Sequence, residues 1–353
     1  MARRKTRESF FLAGQEIQPG EQTHINLPLP SHSGYMPISM PLYVVHGRQD
    51  GPRLFLSAAI HGDEINGIDV IRQVMRHSSL ARLKGTLIAA PIVNIYGFFT
   101  HTRYLPDRRD LNRSFPGSEH GSLAARLAHV FAREIVDQCT HGIDLHTGAV
   151  HRTNHPHIRA NLDDAETEAM ARAFGTPVII NANLRDGSLR QYAADQNVKM
   201  LLYEAGEALR FDMLSIKAGM RGVLNVMAHL GMIRPRRGKR ANHVLTAQSS
   251  QWVRADSSGL LRFQTQLGSR VERGDTLGWI ADAVGRNHSV IRSPVTGIVI
   301  GCTRLPVVNE GDALFHIARF ADSTKVESAI ESFHSTHIEG LGPGDYPEPV
   351  ETA

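Results

Sequence analysis

The stretch Leu54-Phe-Leu-Ser-Ala-Ala-Ile60 runs directly into His61-Gly-Asp-Glu64. Seven mostly apolar residues without alternation read as a strand buried on both faces, and the polar residues stand where that strand leaves the core. In open α/β sheets, ligands bind beyond the carboxyl ends of the strands. A His and a Glu three apart in such a loop can both reach one cation, and imidazole with carboxylate suits Zn2+. His-x-x-Glu alone is a weak signal, so the rest of the chain has to complete it.

Working outward, strands alternate with helices. Residues 65–77 carry Ile65, Ile68, Ile71 and Met75 at helical spacing, and 86–95 are apolar again. Residues 123–139 put Leu123, Leu127, Val130, Phe131, Ile135 and Val136 on one helical face. Then come a short strand at 142–146, a helix at 165–174, a strand at 178–181, a short helix at 189–195, a strand at 198–203 and a long helix at 213–232. This alternation implies an α/β fold: a mostly parallel sheet with helices on both faces. Residues 1–50 are rich in Pro, Gly and Ser and show one strand, at 41–45. The texture changes after the basic segment 234–240. Val271-Glu-Arg-Gly-Asp275, Ser293-Pro-Val-Thr-Gly297 and Asn309-Glu-Gly-Asp312 read as turns between short strands. The division expected is an α/β domain over 1–240 that would carry any site at 61–64, a smaller all-β domain over 241–320, and a short helix at 325–334 with a mobile tail to 353. The β region resembles the barrel-sandwich fold of biotinyl and lipoyl carrier domains. It has Gly285-Arg-Asn-His288 where those domains carry a modifiable lysine, which leaves a structural or lid role.

The 353 residues suffice for one large domain or two ordinary ones. A 41% hydrophobic and 21% charged composition is that of a soluble globular protein. The net charge of +4 is small for the length. Much of it sits in Arg3-Arg4-Lys5-Thr6-Arg7 and in Arg234-Pro-Arg236-Arg237-Gly-Lys239-Arg240, read as a solvated tail and a solvated linker rather than a nucleic-acid surface. The apolar run Phe10–Ala13 is too short for a signal peptide core, and no stretch reaches membrane-spanning length. Two distant cysteines, Cys139 and Cys302, make no disulfide framework and read as packing residues. The expected setting is the cytoplasm, with no membrane or nucleic-acid partner and a homo-oligomer as an open option.

Further polar signatures fall at strand ends or in loops: Asn94, Arg103-Tyr104, Asp110-Leu-Asn-Arg113, Asp144-Leu-His146 and Glu204-Ala-Gly206. Asp144 and His146, two apart at the end of a strand, share a face. His146 fits the third protein ligand of a catalytic zinc site, and Asp144 is placed to hydrogen-bond a ligating imidazole. Glu204 follows the apolar Met200-Leu-Leu-Tyr203, where a carboxylate is expensive unless paired, in a cleft or functional. Beside an activated water it can act as general base. Asn112 and Arg113 can clamp a substrate carboxylate, and Arg103 can stabilise an oxyanion.

His61-x-x-Glu64, Arg103-Tyr104, Asp110-Leu-Asn112-Arg113, Asp144-Leu-His146 and Glu204-Ala-Gly206 together resemble the succinylglutamate desuccinylase/aspartoacylase family, within the zinc carboxypeptidase superfamily, over roughly residues 50–235. The phrasing around Val150-His-Arg-Thr-Asn-His-Pro-His157 is closest to the bacterial branch of N-acetyl-diaminobutyrate deacetylases. The resemblance implies one zinc per chain on His61, Glu64 and His146, with Glu204 as base and proton shuttle. It also implies Arg103 at the oxyanion, Asn112 and Arg113 on the substrate carboxylate, and Asp144 as the supporting partner of His61. The function expected is amide hydrolysis of an N-acylated amino acid or related small amine. The alternatives are a metallocarboxypeptidase acting on peptides and a non-catalytic zinc-binding module.

The remaining polar residues have plainer readings. His151, His155 and His157 form a solvated loop lining the pocket rather than a second metal site. Arg190 and Arg152 either read substrate charge or pair on the surface. Asp63 is a loop hydrogen-bonder rather than a ligand.

Overall fold

The computed structural model describes residues 7–30, 37–235, 244–285 and 288–338. Residues 3–6, 236–240, 286–287 and those from 339 onward lie outside the described residues. Four parallel strands form its centre, in the spatial order Lys199–Glu207, His141–Gly148, Gln49–Ala58 and Lys84–Ala90. The opening stretch is thus a central strand. Its side chains alternate between two cores: Leu54, Leu56 and Ala58 pack on one side and Phe55 on the other.

Helices cover both faces, as the α/β reading expects. Asn66–Met75, Ala165–Phe174 and Met213–His229 share one apolar cluster with Leu54 and Leu56. Leu123–Glu134 and Leu189–Asp195 share the other with Phe55. Local chemistry sets several ends. Asp164, Ser188 and Asp212 accept hydrogen bonds from the first turns of their helices. Helix Ala165–Phe174 stops at Gly175, which is left-handed at φ 92°.

Outside the parallel centre the sheet turns antiparallel on both sides. On one side lie Ile38–His46 and then Gln22–Leu29. On the other, Lys199–Glu207 pairs with Arg152–Ala160, followed by Gly297–Thr303, Ala313–Arg319 and Ser249–Arg254. Five strands of the C-terminal β region, Leu245–Ala247 beside Val178–Asn181 and Arg270–Val271 beside Gly297–Thr303 among them, therefore belong to the central sheet. A separate antiparallel sheet, His288–Arg292, Thr276–Ala281, Gly259–Phe263 and Val307–Val308, packs on them over Leu277, Val299, Leu314 and Phe315. The last helix runs over Ser323–Ile338. Among the described residues no helix is long and apolar enough to cross a membrane.

The histidines at 155 and 157 require a correction. They do not lie in a solvated loop: both are buried in the strand Arg152–Ala160. Pro156 is tolerated there because it falls between the segments that pair with Gly297–Thr303 and with Val178–Asn181. His155 Nε2 faces His334 Nε2 of the last helix at 3.1 Å, and His157 Nδ1 contacts the His155 carbonyl at 2.7 Å. His151 alone is exposed.

Candidate metal centre and substrate pocket

All the site residues collect at the carboxyl edge of the parallel strands, as an open α/β sheet predicts. The strand Gln49–Ala58 leaves the sheet through Ala59, a non-glycine residue at φ 49°, and this sharp turn swings His61 and Glu64 over the strand ends. Gly62 is required there, because a Cβ would lie 2.0 Å from the Gly97 carbonyl carbon. Asn94 anchors that neighbouring loop: its carbonyl oxygen accepts from Gly97 N at 2.9 Å and its amide donates to the Arg103 carbonyl at 3.4 Å.

His61, Glu64 and His146 come together as the sequence anticipates. All three are buried, and one donor atom from each lies within 4.8 Å of the others. The Glu64 carboxylate spans the two imidazoles, Oε1 to His61 Nδ1 at 2.7 Å and Oε2 to His146 Nδ1 at 2.8 Å. Thr147 N also donates to Oε2, at 3.0 Å. The outer nitrogens are equally well held. His61 Nε2 meets Asp110 Oδ1 at 3.1 Å, and His146 Nε2 meets Asp144 Oδ2 at 2.7 Å. Ser57 Oγ donates to the other oxygen of Asp144, at 2.7 Å. Two inward imidazole nitrogens and one carboxylate, each imidazole braced from behind by an acid, form a donor set that fits zinc.

Here the expected support is corrected: Asp144 braces His146, and Asp110 braces His61. Strand geometry explains the first, since residues two apart point the same way. Asp110 caps the short turn Leu111–Arg113 through Asn112 N at 2.9 Å and so presents its carboxylate to His61. It also binds Arg103 Nε at 3.2 Å and Nη2 at 3.0 Å. Arg103 Nη1 reaches Glu64 Oε1 at 3.2 Å. The electrostatics follow from this mesh. Burial alone would raise the Glu64 carboxyl, but the two imidazoles overcome it and hold it well below the usual carboxylate range. Burial alone would depress His61 and His146, but their carboxylate partners overcome it and raise both. Asp63 stays outside the donor cluster. Its carbonyl accepts from Leu209 N at 2.8 Å, its Oδ1 is buried without a partner, and burial raises its carboxyl.

A cavity of about 230 Å³ opens over this cluster. Glu204 lines it, on the strand next to His146 and in direct register with it. Its Oε2 accepts from Asn154 Nδ2 at 2.9 Å, and burial lifts its carboxyl above the ordinary value. Asn112 and Arg113 line the same cavity. Asn112 Oδ1 accepts from Leu189 N at 2.9 Å, which ties the turn to the next helix and leaves the amide nitrogen for a ligand. The Arg113 guanidinium donates to the Asn112 carbonyl. Arg190 is buried rather than paired on the surface, and gives its guanidinium to the carbonyls of Ala182 at 3.2 Å and Asn183 at 3.0 Å. Arg152 stands 5.4 Å over the Trp252 ring, which stacks on His316 at 4.7 Å. All three line the cavity, so the C-terminal strands supply part of its wall.

Sequence reasoning missed Asp110 as a brace, and among the cavity residues it gave no role to Asn154, Arg159, Trp252 or His316. Asp110 stood in a motif already singled out. Asn154 stood in the quoted stretch Val150–His157, while Arg159, Trp252 and His316 share no local pattern and meet only through strand pairing.

Comparison with known proteins places the chain in a family. The N-alpha-acetyl-L-2,4-diaminobutyric acid deacetylase of Halomonas elongata is 27% identical over 314 residues, covering 85% of this chain and 91% of that protein. The crystal structure of a succinylglutamate desuccinylase/aspartoacylase from Rhodobacter sphaeroides is 26% identical, with a TM-score of 0.77, covering 89% of this chain and 97% of that one. The product-bound structure of an ectoine utilization protein from Ruegeria pomeroyi shares the fold, with a TM-score of 0.77 at 23% identity, covering 89% and 96% of the two chains. The profile described as the succinylglutamate desuccinylase/aspartoacylase catalytic domain matches residues 50–230. That span opens at the strand leading into His61 and closes just past the helix after Glu204, so it encloses the whole cluster: the chain belongs to the succinylglutamate desuccinylase/aspartoacylase family.

Proposed function

We propose that this protein is a zinc-dependent deacylase, hydrolysing the amide bond of an N-acylated amino acid or a related small amine. The observation that carries the reading is the buried His61–Glu64–His146 donor cluster with Glu204 beside it in one small cavity. The name of the Halomonas relative supports an N-acetylated small amine as the substrate type.

When bound to His61, Glu64 and His146, zinc supplies Lewis-acid activation of a water and of the scissile carbonyl. Glu204 takes the proton of the attacking water and returns it to the departing nitrogen. Its raised carboxyl suits that exchange, since a base closer to neutrality both accepts and gives back a proton. Arg103, fixed by Asp110 and Glu64, neutralises charge developing on the carbonyl oxygen. Asn112 and Arg113 hold the substrate carboxylate and orient the amide over the cluster. Arg159, Arg185 and Arg190 add positive charge to the same wall and favour an anionic substrate. The C-terminal strands wall one side of the cavity with Trp252 and His316, which supports a compact pocket over the long groove a peptidase needs. Two buried, unpaired cysteines fit a reducing cytoplasm.

The test is a metal assay and a turnover screen of N-acyl amino acids against short peptides, with Glu204→Gln as the decisive variant. The variant retains zinc and loses turnover. Near-normal turnover in Glu204→Gln overturns the mechanism, and faster cleavage of peptides than of N-acyl amino acids overturns the substrate class.

A further inference from the structure

Glu204 stands where its own strand becomes irregular. Register with His141–Gly148 shifts between Glu204 and Glu207, and register with Arg152–Ala160 shifts between Glu204 and Gly206. Gly206 itself is at φ +76°. The regular ladder therefore ends at the residue whose carboxylate must be aimed, and something other than the strand has to aim it.

The strand Arg152–Ala160 provides it. Asn154 lies opposite Gly206 on one side and opposite Gly301 of the C-terminal strand Gly297–Thr303 on the other. Its Nδ2 donates to Glu204 Oε2 at 2.9 Å. A carboxylate only accepts, so the NH2 end of the amide must face Glu204. The carbonyl end then lies over Gly301, where a Cβ would come within 2.8 Å of Asn154 Oδ1 and 3.2 Å of His316 Cβ. Gly301 thus leaves the room the amide occupies. With Oε2 held, Oε1 remains for the proton, and Arg159 Nη1 stands 3.8 Å from it, beyond hydrogen-bond length.

We propose that Asn154, seated in the space left by Gly301, is a positioning residue that fixes the Glu204 carboxylate, so that the C-terminal strand has a direct part in aiming it. The inference rests on Glu204 carrying the proton in deacylation. An amide suits the task because it donates to one oxygen at any pH and never competes for the proton itself.

The experiment measures kcat, KM and zinc content with the fastest substrate of the N-acyl amino acid screen. Asn154→Ala lowers kcat by about 10- to 100-fold, the range for losing a hydrogen bond to a charged group, with KM changed by less than about twofold and zinc retained. Asn154→Asp keeps the shape but sets a second carboxylate against Glu204, so it loses at least as much. A residue that only filled space would leave Asn154→Asp near wild type. Gly301→Ala displaces the amide and lowers kcat in the same way, and combined with Asn154→Ala it adds little, because both act through one contact. In a Glu204→Gln background Asn154→Ala causes no further loss.

Crystal structures give a readout independent of turnover: the Glu204 carboxylate leaves its position in Asn154→Ala and in Gly301→Ala. Wild-type kcat in Asn154→Asp, a rise in KM at constant kcat, or an unmoved Glu204 overturns the inference. Near-normal turnover in Glu204→Gln instead overturns the underlying mechanism, so the two failures are told apart. If Asn154→Ala does not fold, the isosteric Asp variant and Gly301→Ala decide.

Discussion

Replacing Asp110 with alanine tests the proposed metal site where the structure departs most from the sequence reading. The Asp110 carboxylate contacts His61 Nε2 at 3.1 Å, Arg103 Nε at 3.2 Å and Nη2 at 3.0 Å, and Asn112 N at 2.9 Å. Alanine removes all four contacts. Loss of the partner behind a ligating imidazole lowers metal affinity by about 10- to 100-fold. The Asp110 variant belongs in the upper half of that range, because Arg103 is released too. Among the described residues its remaining ion-pair partner is Glu64, which Nη1 already touches at 3.2 Å. A guanidinium drawn further onto Glu64 competes with the cation for the same oxygen. The expected loss is about 50- to 100-fold, or about 2.3 to 2.7 kcal/mol. The assay is zinc competition against a chromophoric chelator at fixed pH, with folding followed by circular dichroism. An Asp110→Ala protein that binds zinc within about twofold of wild type refutes the reasoning, because it means His61 is braced elsewhere.

Three further outcomes follow from the same geometry. Zinc affinity falls as pH drops: the free site holds protons on His61 and His146 above the ordinary imidazole range, and zinc must displace them. With two protons released, the slope below their raised pKa values approaches about 100-fold per pH unit, and a flat profile between about pH 5 and about pH 8 contradicts it. Arg113→Ala removes a donor from the substrate carboxylate and lowers kcat/KM by about 10- to 100-fold without changing zinc content, read by steady-state kinetics and metal analysis. Gly222→Ala places a methyl 2.1 Å from Cε1 of the buried Phe174 and destabilises the protein by about 1 to 3 kcal/mol, read from urea unfolding; an unchanged midpoint argues against that packing.

Much of the fold was legible because its signals are local. The helices Ala165–Phe174 and Leu189–Asp195 and the strand Val178–Asn181 have the boundaries the sequence indicated. Asp164 and Ser188 cap the two helices from the first residue outside them. The edge strand Gln22–Leu29 was also within reach, since Ile25, Leu27 and Leu29 are buried at alternate positions. The strand Arg152–Ala160 was not. It reads Arg-Thr-Asn-His-Pro-His-Ile-Arg-Ala, polar and broken by proline. Its inner residues face a polar cavity and its flanks pair with strands distant in sequence, so neither apolar periodicity nor turn chemistry marks it.

The candidate site shows the same division between local and long-range information. The donor residues were readable because each sits at or just beyond the end of a parallel strand, where side chains leave an apolar run. What braces them depends on which loops arrive alongside. Asp144 illustrates how much spacing alone can say. It stands two residues before His146 on one strand, so its carboxylate must share that imidazole's face, and the 2.7 Å contact follows from strand geometry. The alternative, that Asp144 serves His61, came from family likeness and is displaced by the geometry. Asp110 could reach His61 only through a loop 49 residues downstream, held in place by its own cap on Asn112 and by Asn112 on Leu189. The identity of a ligand is thus a property of its strand, whereas the identity of its brace is a property of the tertiary fold.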